Sequence, residues 1–194
     1  LQITPHANTL ALGKTYYVVI PAAAITDVNL AGQKFEGIGK TSNWSFTTRA
    51  EKPEVSKTEF IVDDNGSAAD FRSIQGAINF INQNHDENTP TMLRVKAGVY
   101  SEPLFIYKRN NLTIKGDNRE NTIVRYANNE RLNGGTEGRA LVLAKGVDML
   151  RFENITIHNS TLIGEGGQAE SVYFNSDDGR LIAVNTSFLS EQDT

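Results

Sequence analysis

The chain contains no cysteine. That excludes disulfides, thiolate metal sites and a cysteine nucleophile, and it is compatible with a secreted protein. Histidine is scarce. His6, His85 and His158 are scattered, so they read as surface or loop residues rather than a catalytic triad or a metal cluster, and no residues have zinc-ligand spacing. A surplus of positive charge is missing too. The formal net charge of −4 offers no basic stripe for nucleic acid. It also gives no broad attraction to an acidic polymer, so any binding of one must be local. No apolar run approaches the ~20 residues of a membrane helix. No leader pattern opens the chain. It begins at Leu1 without Met and reads as a mature or excised piece.

What is present is an ordinary apolar fraction, 39% of 194 residues, enough for one or two domains with a real core. Residues 1–50 differ from the rest. Thr15 to Ile20 is a β-rich run closed by Pro21, and Trp44 and Phe46 alternate within Asn43 to Thr48. These runs resemble the C-terminal half of a bacterial Ig-like module. A complete sandwich takes ~100 residues, so 1–50 is expected to be a β-sandwich (Ig-like) remnant, the alternative being a β-rich leader packed on the next domain. Residues 51–57, with Pro53, are charged and aperiodic and read as a linker. A second domain, 58–194, opens at Phe60-Ile61-Val62.

Within it, Phe71, Ile74, Ala77, Ile78 and Ile81 recur at helical spacing, with Asp70 or Ser67 as expected cap. After Asn84 the helical signal fades. Short strand-like bursts follow, punctuated by Asn, Gly and Asp: 92–95, 111–117, 122–124, 140–143 and 150–157. Val172 with Phe174, and then Ile182 with Val184, read as alternations with their apolar residues on one face. Leu150 to Ile157 and Leu181 to Phe188 form a weak repeat in which Asn154 falls on Asn185 and Ile157 on Phe188. Repeats of this size argue for an all-β, right-handed parallel β-helix whose first coil is covered by the helix; the alternative is a β-sandwich. The prediction is that the two repeats lie on successive parallel coils with Ile157 and Phe188 stacked inside.

The chemistry-bearing residues gather late. Gln168-Ala169 is followed 24 residues on by Gln192-Asp193-Thr194. Asp70-Phe71 to Ile78 and Lys96-Ala97-Gly98-Val99-Tyr100 with Glu102 stand earlier in the same order. Together these segments resemble the pectin methylesterases, over roughly Phe60 to Thr194. The resemblance implies hydrolysis of methyl esters on homogalacturonan (pectin) by aspartyl chemistry, with no metal and no cofactor. One Asp attacks the ester carbonyl. A second, protonated, gives its proton to the departing methoxide and later activates water. By resemblance Asp193 is that acid/base. Gln168 and Gln192 are amide donors to the charge developing on the carbonyl oxygen, and Gln168 and Thr136 touch substrate. Gln168 and Gln192 stand about one coil apart, and groups on successive coils lie ~4.8 Å apart. A secreted, periplasmic or cell-surface setting is implied too.

Two motifs are set aside. Gly164-Glu165-Gly166-Gly167-Gln168-Ala169 matches a dinucleotide fingerprint in letters, but a strand-like run follows where a helix is required. Gly146-Val147-Asp148-Met149 resembles the family's nucleophile segment but precedes Gln168, so Asp148 is not expected to be the nucleophile. In the family the nucleophilic Asp and its orienting Arg follow the Gln-Asp-Thr segment, beyond Thr194. Residues 1–194 alone are therefore expected to be inactive. Two alternatives from other classes stay open: a non-catalytic polysaccharide-binding β-helix and a pectate-lyase-like enzyme.

Overall fold

The computed structural model describes residues 9–25, 29–30, 32–42, 44–66 and 68–192. The chain divides into two units, Leu1–Glu54 and Val55–Thr194. In the first, β1 (Thr15–Tyr17) pairs antiparallel with β4 (Ser45–Thr47), and β2 (Asn29–Leu30) with β3 (Gln33–Lys34). The Tyr16 and Phe46 rings stack at 5.7 Å across β1 and β4. Trp44 and Phe46 remain exposed. Between residues 9 and 50 no described residue is buried.

The second unit opens with β5 (Glu59–Val62) and α1 (Ile74–Asn84). Ile74, Ala77, Ile78 and Ile81 form the buried stripe of α1, as the period requires. Burial of each isoleucine contributes roughly 1.5–3 kcal/mol. Phe71 falls outside the helix and bridges to Val62. The cap is Ser73, whose hydroxyl accepts from the Gly76 amide at 3.1 Å. Asp70, an expected cap, is held elsewhere: Lys57 Nζ donates to both its oxygens at 2.7 Å and the Ile61 amide to one of them at 2.8 Å. Ser67, the other expected cap, lies outside the described residues. Glu102 completes the helix start. Its carboxylate accepts from the Ile74 and Gln75 amides at 2.8 and 3.0 Å, where the helix dipole favours negative charge. Burial pushes its carboxyl above the usual range, with the two amides opposing. At the other end the buried Arg109 donates to the His85 carbonyl at 3.0 Å and to the Asp86 carbonyl.

From β6 onward the chain winds. The strands are β6 (Thr91–Val95), β7 (Gly98–Tyr100), β8 (Leu104–Tyr107), β9 (Leu112–Gly116), β10 (Thr122–Tyr126), β11 (Val142–Lys145), β12 (Leu150–Glu153), β13 (Thr156–Asn159), β14 (Val172–Asn175), β15 (Leu181–Val184) and β16 (Ser187–Leu189). Each circuit lays one strand on each of three parallel sheets. The first holds β5, β6, β9, β12 and β15, the second β7, β10, β13 and β16, and the third β8, β11 and β14. This is a parallel β-helix. Strands of three to five residues suffice because each pairs with the coil above and below.

The interior is a set of aligned apolar stacks. Phe60, Leu93, Ile114 and Phe152 are register partners on the first sheet, all fully buried. Tyr100, Val124, Ile157 and Phe188 are partners on the second. Leu104, Val142 and Val172 are partners on the third. The Leu150/Leu181 and Ile157/Phe188 pairs therefore lie on successive parallel coils, 31 residues apart. Strand pairing also decides which way the Ile182/Val184 face points. Ile182 pairs with Arg151 and Val184 with Glu153, so both point outward, while Leu181 pairs with the buried Leu150. A one-residue slip changes the face of every side chain, and here the register of β12 decides it.

Candidate active site

The corner from the second sheet to the third is where the coils grow long. It is short after β7 (101–103), then spans 127–141 after β10 and 160–171 after β13; the next begins at Ser190. Thr136, Gln168 and Gln192 each sit on one of these corners, on three successive coils, and all three are exposed. Asp193 and Thr194 lie outside the described residues.

Long turns must satisfy their own backbone groups. Two buried asparagines do so here. Asn159 Nδ2 donates to the carbonyls of Asn128 and Glu170 at 2.7 and 2.9 Å, and its Oδ1 accepts from the Asn128 and Thr161 amides. Asn128 Nδ2 donates to the carbonyls of Gly138 and Ala140 at 2.8 and 2.7 Å. Both side chains are essentially inaccessible, and four backbone carbonyls of the long turns each accept from one of them. The two turns also stack on each other: the Glu130 amide donates to the Gln168 carbonyl at 3.0 Å and the Arg131 amide to the Gly166 carbonyl at 2.9 Å. Gly164, Gly166 and Gly167 have φ of 83°, 81° and 80°, a region L side chains disfavour. They turn the chain into Gln168, and β14, not a helix, follows.

At Ser190 the second-sheet register reaches the position that Asn159 occupies one coil earlier. Its hydroxyl donates to the Ala169 carbonyl at 2.8 Å and accepts from the Gln192 amide at 3.3 Å. One hydroxyl thus joins the Gln168-Ala169 segment to the Gln192 segment. A second tie runs from the Ile163 amide to the Glu191 carboxylate at 2.8 Å. This corrects the expected geometry in one respect. The coil repeat is 31 residues, so residues 24 apart are not register partners; Gln168 ends its turn and Gln192 begins the next one. Their backbones are brought together by Ser190 rather than by strand pairing.

Glu170 lies just beyond Gln168. Its carboxylate, with 9% side-chain exposure, accepts from Arg139 Nε at 2.7 and 3.0 Å. A buried pair of this kind is costly to split, and it anchors the base of the 127–141 turn to the start of β14. Next to Thr136, Glu137 accepts from Lys145 Nζ at 2.8 Å and from Asn175 Nδ2 at 3.1 Å. Those partners hold its carboxyl below the usual range, Lys145 first among them. Asparagine rungs, the Ser190 tie and the Arg139–Glu170 pair all escaped the sequence reading. The arrangement presents two exposed amide side chains on one rigid edge, at consecutive turns, with Gln192 leading directly into Asp193.

Asp148 occupies a different corner, between the third and first sheets. Arg180 Nε donates to it at 2.9 Å, Arg180 Nη2 at 2.5 Å, and the Arg180 and Met149 amides at 3.0 and 2.8 Å. The guanidinium holds its carboxyl down to about 2. Asp148 is occupied as the clasp of a turn. Among the described residues no group of three or more His, Cys, Asp or Glu is placed to hold a metal, and no helix is long and apolar enough to cross a membrane.

Comparison with known proteins bears on the same region. A family model described as Pectinesterase matches residues 59–194. Pectinesterase 31 of Arabidopsis thaliana is 33% identical over 144 residues, covering 69% of this chain and 43% of that protein. Among solved structures, pectin methylesterase PemA from Erwinia chrysanthemi aligns with a TM-score of 0.60 and 25% identity, over 70% of this chain and 44% of that one. The pectin methylesterase from carrot aligns at 0.55 and 24% identity, over 68% and 40%, a likeness of fold. The chain spans less than half the length of the relatives it matches.

Proposed function

The chain belongs to the pectinesterase family, and on that premise we propose that the protein carrying it removes methyl esters from homogalacturonan, leaving a carboxylate and releasing methanol. The observation that supports the assignment to this edge is the Ser190 hydroxyl, bonded to both the Gln168-Ala169 and the Gln192 segments. In this reading the amides of Gln168 and Gln192 donate to the ester carbonyl oxygen as negative charge develops on it. A carboxylate nucleophile, which by the family pattern follows Thr194, attacks the carbonyl carbon. Asp193 gives its proton to the methoxide, which leaves as methanol. Asp193 then takes a proton from the water that cleaves the acyl-enzyme, and both carboxyl groups return to their starting state. Thr136, on the preceding coil, contacts the polymer. No metal or cofactor takes part.

We read residues 1–50 as part of an Ig-like module and the protein as secreted, periplasmic or cell-surface. The test of the reaction is methanol release from methyl-esterified pectin by the protein that carries this chain. Asp193→Asn keeps the side chain's shape but can neither donate nor accept the proton. It is expected to remove at least about 10²-fold of turnover with the melting temperature unchanged. A near-normal rate would refute the acid/base role.

A further inference from the structure

Gln168 follows the softest stretch of the candidate site. Gly164, Gly166 and Gly167 all stand in the left-handed region just before it, and glycine loses more backbone freedom on being fixed than any other residue. The Gln168 side chain is exposed, so core packing does not aim it. Yet a donor meant for a developing oxyanion has to be held to within about 0.5 Å. The backbone around Gln168 must supply that hold. Its carbonyl accepts from the Glu130 amide at 3.0 Å. The next residue, Ala169, is fully buried, and its carbonyl accepts from the Ser190 hydroxyl at 2.8 Å.

One side chain joins the two flanks of this segment. Arg139 stands three residues after Thr136, near the end of the 127–141 turn. Its Nε donates to both oxygens of Glu170, two residues after Gln168, at 2.7 and 3.0 Å. Its Nη1 lies 3.8 Å from Oε2 of Glu130, the residue whose amide holds the Gln168 carbonyl. That carboxylate also sits against Gly167, where an added Cβ would meet Oε2 at 3.4 Å. The guanidinium therefore bridges the Gln168 segment, with one carboxylate on each side of it. Stability alone does not account for the arrangement. Glu130 is 48% exposed, and an exposed pair adds little. Arg139 and Glu170 are 14% and 9% exposed, and a buried pair is often no more stabilising than apolar side chains of similar volume. What apolar side chains would not supply is direction, because a planar fork fixes the angle at which carboxylates meet it.

We propose that Arg139 is a positioning residue for the ester hydrolysis: through Glu170 and Glu130 it fixes the backbone on both sides of Gln168 and so aims the Gln168 amide. The inference rests on the reading of Gln168 as a donor to the ester carbonyl. Arg139 acts through Gln168 and is assigned no contact with the ester.

The test replaces the buried pair by apolar side chains, Arg139→Met/Glu170→Met, in the protein that carries this chain. The melting temperature is expected to stay within about 3 °C of the parent, or to rise. For methanol release from methyl-esterified pectin, kcat should fall about tenfold with KM within about twofold. Hydrogen–deuterium exchange should quicken in peptides covering 129–132 and 164–169 and stay unchanged in α1. Arg139→Lys, which keeps the charge without the fork, should lose about threefold in kcat at an unchanged melting temperature. A double variant with parent-like kcat overturns the proposal, and so does one whose loss lies wholly in KM. If the double variant melts more than about 10 °C below its parent, Arg139→Lys decides: parent-like kcat there overturns the proposal, and the threefold loss supports it. Methanol release by the parent reports on the pectin reading separately. Release by the parent with parent-like kcat in the variants sinks the positioning role alone; no release by the parent sinks both.

Discussion

From β12 on the first sheet to β13 on the second the chain turns in two residues, 154–155; from the second sheet to the third it takes fifteen after β10, 127–141, and twelve after β13, 160–171. Asparagine serves both corners in different ways. Asn154 and Asn185 stand in the left-handed region, at φ 50° and 47°, and their side chains bond to each other at 2.9 Å near the surface. Asn128 and Asn159 are buried and spend their amides on backbone carbonyls of long turns. The short corner uses asparagine for its backbone conformation; the long corner uses it for its hydrogen-bonding capacity. A short corner has little surface to offer. A long one can display Thr136, Gln168 and Gln192, provided its backbone is pinned from inside. The difference explains why the candidate site lies along one edge of the helix only.

The sharpest way to break this comparison is Asn159→Ala. It leaves the amides of Asn128 and Thr161 without their acceptor in a dry interior and takes one of two donors from the carbonyls of Asn128 and Glu170. Loss of one buried network member is expected to cost about 3 kcal/mol, which for a domain of this size lowers the melting temperature by about 10 °C. Thermal melts by circular dichroism check it. A change under about 2 °C would mean that the long corners hold themselves up. Asn154→Ala probes the other corner and should cost less, about 1 kcal/mol, because alanine is strained at this φ but leaves no buried group unpaired. Its melting temperature should fall by about 3 °C, and Asn154→Gly should restore most of the loss. If alanine and glycine behave alike at 154, backbone strain is not what asparagine relieves there.

These two corners also separate what could be read in the sequence from what could not. Leu150/Leu181, Asn154/Asn185 and Ile157/Phe188 repeat at one spacing across tight corners, so the winding was legible there. One coil earlier the partners are 33 residues apart, Ile123 with Thr156, because the 127–141 turn is longer. Asn128 and Asn159 therefore fall out of step with the strands they serve, and nothing in the string distinguishes them from surface asparagines. Nothing in the string joins Arg139 to Glu170 either; only the folded turn buries them together. The helix stripe was legible from its period, but its start was not. Ser73 and Asp70 both suit a cap, and the choice between them was made by Lys57, which holds Asp70 from outside the helix. The alternation of Ile182 and Val184 was legible, but which way it faces was not, because the register of β12 decides that. Gln168 and Gln192 were singled out by resemblance, while the hydroxyl that joins their segments was not.

In the proposed reaction this edge acts on an ester as its carbonyl oxygen gains charge, rather than only holding a sugar. The direct measurement is kcat and KM for methanol release from methyl-esterified pectin by the protein carrying this chain, with Gln168→Ala and Gln192→Ala made singly. Both side chains are exposed, so the fold should be unaffected. Each variant is expected to lose about 10²-fold in kcat with KM within a few-fold, the signature of a donor that acts chiefly in the transition state. Unchanged kcat with a raised KM in both variants would contradict the account and make this edge a binding surface.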